Sequence, residues 1–157
     1  NNQHTNALYE LEQAVKLSNK KGANLIKLAQ MQLQLTQREN AINSLNRAIA
    51  WEAEFTPAYL MLIAIYSESK NEEKALSLIN KLAEVNKNAS LIYRLKGELY
   101  WALANETKAA YFFNLSIKKA ATKPAILGLF RIYRKNKQYN NTPIPIFIFL
   151  SLFFKSF

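Results

Sequence analysis

The fold of this chain is decided by a stretch of sequence that occurs twice, as YLMLIAIYSESKNEEKALSLINKL at residues 59–82 and as YRLKGELYWALANETKAAYFFNLS at residues 93–116. The two copies are 34 residues apart (93−59), and they are identical at seven positions, which hold two tyrosines, two asparagines, a glutamate, a lysine and an alanine. The alanine continues the same spacing towards the N-terminus, which gives the series Ala7, Ala41, Ala75 and Ala109. A fixed period of this length without insertions is typical of a stacked helical solenoid.

Each repeated unit contains two amphipathic segments. With the register alanine as position 20 of a unit, apolar residues recur at positions 4, 7, 8 and 11 and again at positions 20, 24 and 27. Spacings of three and four describe one face of an α-helix. The sequence therefore predicts two helices per unit, A and B, which are antiparallel because the link between them is short.

Polar residues at the expected helix starts support these boundaries. Asparagine is a preferred N-cap, and glutamates suit the positive end of the helix dipole. Helices B of the last two units are expected to start after Asn71 and Asn105, each followed by glutamate. The other predicted caps are hydroxyl residues, namely Thr36 with Glu39 in capping-box spacing, Thr56 before Pro57, and Ser90 at the position equivalent to Thr56.

Each unit tends to hold an aromatic residue at position 4, leucine at 7, a small residue at 8, tyrosine at 11, alanine at 20, a large apolar residue at 24 and a small one at 27. This pattern resembles that of the tetratricopeptide repeat family. The best matches are Tyr59, Leu62, Tyr66, Ala75, Tyr93, Gly97, Tyr100, Ala109 and Phe113. Ile63, Leu82 and Lys96 depart from the pattern. The resemblance implies an all-α, right-handed solenoid of antiparallel helix pairs. Phrases such as LINKL also look like the bacterial arrays associated with envelope and exopolysaccharide assembly, the PEP-CTERM-associated kind.

The register divides the chain into a solenoid at residues 1–138 and a tail at 139–157. The solenoid comprises a partial unit at 1–21, full units at 22–55, 56–89 and 90–123, and a partial unit at 124–138. Because the chain lacks an initiator methionine and begins in the second half of a unit, we expect it to be a fragment. In the last helix, the core positions are expected at Leu127, Phe130 and Arg134.

The repeat breaks where the next alanine is expected, because that position is Pro143. The tail at 139–157 is predicted to be irregular and apolar, since two prolines close together do not fit inside a helix. Its apolar run is about half the roughly 20 residues that a membrane-spanning helix needs. The tail is interpreted as a plug over the last helix pair or as non-native sequence, and both alternatives stay open.

The net charge of +10 is concentrated near the C-terminus. All 11 acidic residues are glutamates at or before Glu106, and 12 basic residues precede that point, so the first 106 residues carry only 12−11 = +1. The nine basic residues that follow have no acidic neighbour in sequence. They indicate either a solvated helix face or contact with a membrane or polyanion.

Residue types that carry chemistry are scarce in this chain. It has no cysteine, no aspartate and one histidine, His4, and it lacks the nucleotide-binding and zinc-protease motifs. We therefore expect no enzyme activity, no cofactor, no metal and no small-molecule substrate. The polar N-terminus has no signal-peptide pattern, and both cytoplasmic and periplasmic or cell-envelope locations stay open.

The family resemblance implies that helices A line a concave groove which binds a partner peptide or helix. Carried over by position, the groove residues are Ile26, Gln30, Leu33, Gln34, Leu60, Ala64, Ser67, Leu91, Arg94, Glu98 and Trp101, with Ile132 and Lys135 extending the line. Trp101 and Arg94 are the types that most often dominate interface energy, although Trp101 also suits packing on the next unit. The Lys and Asn of the family's carboxylate clamp are missing, which argues against a chaperone adaptor.

Three other functions remain open besides a protein-binding scaffold. One is a regulatory segment of a larger enzyme or envelope assembly protein, and another is peripheral membrane or polyanion contact through the basic C-terminus. A nucleic-acid-binding solenoid is the third, but the 34-residue period and the near-neutral repeats argue against it.

Overall fold

The computed structural model describes residues 2–19 and 21–135, and within those residues it contains helices and no strand. The helices are α1 (Asn2–Leu17), α2 (Lys21–Gln34), α3 (Arg38–Trp51), α4 (Thr56–Glu68), α5 (Glu72–Val85), α6 (Ala89–Ala102), α7 (Glu106–Lys119) and α8 (Lys123–Lys135). Across this part of the chain, none of the helices combines the length and apolar character of a membrane span. The predicted tail at 139–157 lies outside the described residues.

The helices form a linear stack of antiparallel pairs. The full units are the pairs α2/α3, α4/α5 and α6/α7, while α1 and α8 are single helices from the neighbouring units. Each helix packs on the next in sequence, and the helices A of successive units also touch. The predicted all-α solenoid is therefore confirmed.

The register alanines of the full units are buried inside the helix stack. Ala41, Ala75 and Ala109 are completely buried, and Ala7 is half-buried on α1 at the edge of the stack. Position 24 follows on the same helix face and is filled by the fully buried residues Leu45, Ile79 and Phe113. Burying a side chain of this size stabilises the fold by about 1.5–3 kcal/mol.

The second helix pair, α4/α5, packs less closely than the pairs on either side of it. Two positions that hold small residues in the first full unit hold large ones here, namely Ile63 and Leu82, and both side chains are buried. Their volume keeps the two helix axes apart, because a close-packed interior has no spare space.

Two of the predicted N-caps are confirmed. The side-chain oxygen of Asn71 accepts a hydrogen bond from the backbone N–H of Lys74 at 3.1 Å, and that of Asn105 accepts one from Lys108 at 3.0 Å. Each bond satisfies one of the four N–H groups that a helix start leaves without a partner.

The predicted hydroxyl caps are wrong. Thr36 lies one residue before the N-cap of α3, and its hydroxyl donates to the carbonyl of Leu35 at 2.7 Å. Thr56 is the first residue of α4, after Phe55. A threonine or serine hydroxyl bonds equally well to a nearby carbonyl, so the residue type alone does not fix the helix start.

Ser90 is also not a cap, because α6 starts after Asn88, whose side chain accepts from the N–H of Leu91 at 3.0 Å. Ser90 is buried inside the pair and donates to the carbonyl of Ser116 on α7 at 3.1 Å. The hydroxyl of Ser116 in turn donates to the carbonyl of Ser90 at 2.8 Å, which ties the two helices together.

The turn between helices A and B contains one left-handed residue in each full unit. Thr36, Lys70 and Ala104 have φ values of 59°, 55° and 59°, and they follow the 34-residue period. In the second unit, the N–H of Lys70 donates to the carbonyl of Ser67 at 3.0 Å and that of Asn71 to Tyr66 at 2.8 Å. This is the Schellman pattern, whose left-handed position usually holds glycine.

We expect Ala104→Gly to raise the free energy of unfolding by about 0.5–1 kcal/mol, since it removes the steric cost of a Cβ at positive φ. The matched control is Ala64→Gly at an exposed position in the middle of α4. This change should lower the free energy of unfolding by about the same amount. Urea unfolding followed by circular dichroism measures both. A loss of stability in Ala104→Gly would contradict the left-handed turn.

The buried face of α8 differs from the prediction. Ile126 and Leu129 are buried where Leu127 and Phe130 were expected, and Arg134 is exposed. The face that packs on α6 and α7 is thus one residue earlier than the register implies. The side chains explain the shift, because this choice buries only apolar groups and leaves the arginine in solvent.

Two tyrosines in the core have raised pKa values. Burial raises the pKa of Tyr59, and the charge of Glu84 adds to this effect. Burial also raises the pKa of Tyr100, and its hydrogen bond to Glu72 and the charge of that carboxylate add to it. Both hydroxyls therefore stay protonated and neutral at physiological pH.

Candidate protein-binding groove

The helices A of successive units, α2, α4, α6 and α8, lie side by side along one face of the solenoid. Position 9 of each full unit points away from the core, so Gln30, Ala64 and Glu98 are exposed at equal intervals. The face that the sequence predicts as a groove therefore presents accessible side chains on α2, α4 and α6, the helices A of the three full units.

The N-terminal half of this face is apolar with amides. Ile26 and Leu33 are half-buried against the first core cluster, while Gln30 and Gln34 are exposed. On α4, Leu60 is half-buried and Ala64 is exposed, whereas Ser67 is buried with only 8% of its surface accessible. Ser67 therefore offers a ligand little contact area.

The C-terminal half carries charge. Arg94 and Glu98 lie one turn apart on α6 and form an ion pair, in which the arginine is largely covered and the glutamate more open. Leu91 is half-buried at the start of the same helix. An exposed pair at this spacing contributes only a few tenths of a kcal/mol to stability.

A hollow of about 260 Å³ lies between α6 and α8. It is lined by Glu98, Trp101, Phe113, Lys123, Pro124, Leu127, Gly128 and Arg131. A second hollow, of about 310 Å³, lies beside it at the start of both helices and is lined by Asn88, Ser90, Leu91, Arg94, Ala120, Thr122 and Pro124. The Arg94–Glu98 pair thus connects two neighbouring depressions, each of the size of one or two side chains.

Trp101 fills part of this region. It is half-buried against the third core cluster on α7 and α8, and the ammonium of Lys135 lies 5.7 Å from the centre of its ring. Lys135 also pairs with Glu106. The indole therefore packs on the next unit and also lines the first hollow, while its role as a ligand contact stays a prediction.

The two residues of α8 that were expected to extend the groove differ in exposure. Lys135 is exposed and lies beside Trp101, whereas Ile132 is buried and does not line the groove. Three polar or charged contributors were missed, Lys123, Arg131 and Thr122. The one-residue shift of α8 explains the miss, although the run of basic residues after Glu106 was a usable signal.

Within residues 2–19 and 21–135, no group of histidine, aspartate or glutamate side chains is placed to hold a metal ion. The side chain of His4 lies outside what the structure describes. The two hollows are lined by apolar, aromatic and charged groups.

The repeat pattern is recognised by comparison with known families. The model of the tetratricopeptide repeat family matches residues 33–99. Those residues are similar to tetratricopeptide repeats. The matched region begins near the end of α2 and extends through most of α6, so it includes the whole second unit, helix B of the first unit and most of helix A of the third.

Solved structures of tetratricopeptide proteins are similar to a larger part of the chain. A thermophilic TPR protein of Thermus thermophilus superimposes with a TM-score of 0.66 at 20% identity, over 87% of this chain and 76% of that one. MamA MSR-1 C2 gives a TM-score of 0.54 at 16% identity, over 88% and 80%. Among curated proteins, none matches the chain significantly. At these identities the structural likeness concerns the fold.

Tetratricopeptide repeats generally mediate protein–protein interactions and are typically non-enzymatic scaffolds. The fold therefore agrees with a protein-binding role in general terms. Neither structural neighbour supports the predicted link to PEP-CTERM or exopolysaccharide systems.

Proposed function

We propose that this chain is a scaffold that binds a partner peptide or helix in the groove formed by α2, α4, α6 and α8. The observation that carries the proposal is the pair of hollows between α6 and α8, where an ion pair and the edge of a tryptophan are accessible together. Such combinations of arginine and aromatic residues are typical of binding hot spots.

The groove favours a partner of mixed character. Its N-terminal half offers Ile26, Leu33 and Leu60 with exposed amides, which suits an apolar helix face. Its C-terminal half adds Lys123, Arg131 and Lys135 beside the carboxylates of Glu98 and Glu106, so the cations outnumber the carboxylates and an acidic side chain of the partner would be favoured there.

A regulatory role within a larger enzyme or envelope assembly protein uses the same groove and remains an alternative of this proposal. Contact of the basic C-terminal region with a membrane or polyanion is a separate alternative. Liposome flotation of the chain with and without residues 138–157 tests the membrane alternative. Membrane contact through the C-terminal region predicts salt-dependent flotation of the longer form only.

We expect Trp101→Ala combined with Arg94→Ala to reduce recovery of bound partner at least about tenfold in a pull-down with the full chain as bait. The reason is the loss of the aromatic edge and of the cation that orients Glu98. Because Trp101 also packs on α8, a second variant, Ala64→Arg with Glu98→Lys, blocks the exposed side of the groove and leaves the core intact.

The matched control is Tyr111→Ala with Lys118→Ala, which removes an exposed aromatic residue and a cation from α7, outside the groove. Circular dichroism establishes that each variant keeps its helical content. Undiminished recovery with both groove variants would exclude the concave face as the binding site.

A further inference from the structure

A third hollow lies at the edge of the solenoid, away from the groove. It has a volume of about 380 Å³ and is formed where α1 ends, α2 begins and α3 ends. Its lining consists of Val15, Lys16, Lys21, Leu25, Arg47 and Trp51. Val15 and Leu25 are buried at its base, so it has an apolar floor under a charged rim.

The rim is strongly cationic. Lys16, Lys21 and Arg47 come from three different helices, and no carboxylate among the described residues pairs with any of them. The nearby glutamates of the sequence, Glu12 and Glu52, do not line the hollow. Three positive charges held around one depression, with no internal counter-ion, repel one another and attract an anion.

The hollow also contains an accessible aromatic ring. Trp51 is 57% exposed, which is unusual for the largest apolar side chain, and the ammonium of Lys21 lies 4.1 Å from its ring centre. Leu17, which follows Lys16 and occupies the register position of Trp51 one unit earlier (51−17 = 34), is 85% exposed. This edge therefore combines charge with apolar surface that the described chain leaves uncovered.

The start of α2 adds to the positive potential. Lys21 is the first residue of a 14-residue helix whose first turn contains no acidic side chain. The N-terminus of such a helix carries a partial positive charge, so its dipole reinforces the three side-chain cations.

We propose that this hollow is a second binding site, which takes an acidic peptide segment with an apolar or aromatic side chain. The carboxylates would contact Lys16, Lys21 and Arg47, and the apolar side chain would enter the hollow over Val15 and Leu25 beside Trp51. Charge complementarity favours an acidic partner, and the concave apolar floor favours a peptide over a flat lipid surface. This site is independent of the proposed groove.

The two tryptophans allow a direct test. In a Trp101→Phe background, Trp51 is the only fluorescent indole, so its emission reports on this hollow alone. The probe is a capped peptide with four glutamates flanking a phenylalanine and a leucine, titrated into the full chain at low salt. The same peptide with lysine in place of glutamate, inorganic phosphate, and vesicles of anionic lipid are the comparison ligands.

We expect the acidic peptide to change the emission of Trp51 saturably, and its affinity to fall as salt is raised. Lys21→Gln with Arg47→Gln should weaken binding at least about tenfold. Lys27→Gln with Lys81→Gln removes the same charge from exposed sites outside the hollow and should change binding less than about twofold.

Three results would each overturn the proposal. The first is that the acidic peptide does not bind saturably. The second is that both pairs of charge variants lose the same affinity for it. The third is that phosphate or vesicles change the emission of Trp51 while the peptide does not. Because the background already lacks Trp101, success or failure here is separate from the pull-down that tests the groove.

Discussion

Replacing Phe113 with alanine is expected to lower the free energy of unfolding by about 3–5 kcal/mol. The ring is almost completely buried and belongs to the third core cluster, where α6, α7 and α8 meet. It is the largest side chain that the described part of the chain buries fully. Its removal would leave a cavity that three helices cannot close together.

The position of this ring depends on two glycines. A Cβ added at Gly97 would lie 2.7 Å from Cδ1 of Phe113, and one added at Gly128 would lie 2.4 Å from Cζ of the same ring. Both distances are shorter than a Cβ contact allows. The absence of a side chain at both positions therefore lets α6 and α8 close on the same phenylalanine.

We expect Gly97→Ala and Gly128→Ala each to destabilise the protein by about 1–3 kcal/mol through overpacking. This prediction is informative because alanine has the higher helix propensity by about 1 kcal/mol and would otherwise stabilise both helices. The control is Gly22→Ala, where the added Cβ would lie 3.3 Å from the ring of Phe55 and the cost should be small.

Urea unfolding followed by circular dichroism measures all four variants. A further variant, Gly97→Ala with Phe113→Leu, should recover part of the stability that Gly97→Ala alone loses, because the smaller side chain leaves space for the added methyl group. An increase in stability for either Gly97→Ala or Gly128→Ala would show that the ring is not confined between the helices.

The second large effect is expected at the register alanines. Ala41→Leu and Ala109→Leu should each cost about 3 kcal/mol, because both positions are fully buried between closely packed helices. Ala75→Leu should cost less, about 1–2 kcal/mol, since its pair packs less closely. Ala7→Leu is the control and should be nearly neutral, because Ala7 is half-buried on α1.

Unfolding free energies for the four leucine variants test this order. Repeat proteins can unfold in parts, because each unit contacts only its neighbours. The losses of unfolding free energy should therefore be measured for all four variants under the same conditions and with the same spectroscopic probe. Equal losses at all four alanines would contradict the different spacing of the pairs. A loss at Ala7 as large as that at Ala109 would contradict the assignment of α1 to the edge of the described stack.

The repeat period predicted the helices and their pairing well, because period and apolar spacing follow directly from how each helix buries one face. The asparagine caps were predicted correctly, since the amide oxygen can only accept and reaches the N–H groups that the first turn leaves without a partner. Thr36, Thr56 and Ser90 were misassigned because a hydroxyl can bond to several nearby carbonyls, and the choice depends on turn geometry.

The site was predicted less completely than the fold. The exposure of Gln30, Ala64 and Glu98 follows from their position in the repeat. The contribution of Arg131 and Lys123 to the groove was missed, because α8 packs one residue out of register. The hollow beside Trp51 draws residues from three helices that are distant in sequence. No spacing rule indicates such a site, because it depends on where helix ends meet.

The central claim is that the partner contacts helices A and not helices B. To test this claim, a photo-reactive amino acid is placed on a helix A, at Gln30, Ala64 or Glu98. The comparison is the same label on a helix B, at Asn43, Ser77 or Tyr111, which occupy one equivalent exposed position of successive units. After irradiation with the partner recovered in the pull-down, cross-linked partner is expected from the first set and not from the second. Cross-links confined to the Asn43, Ser77 and Tyr111 set would contradict the account.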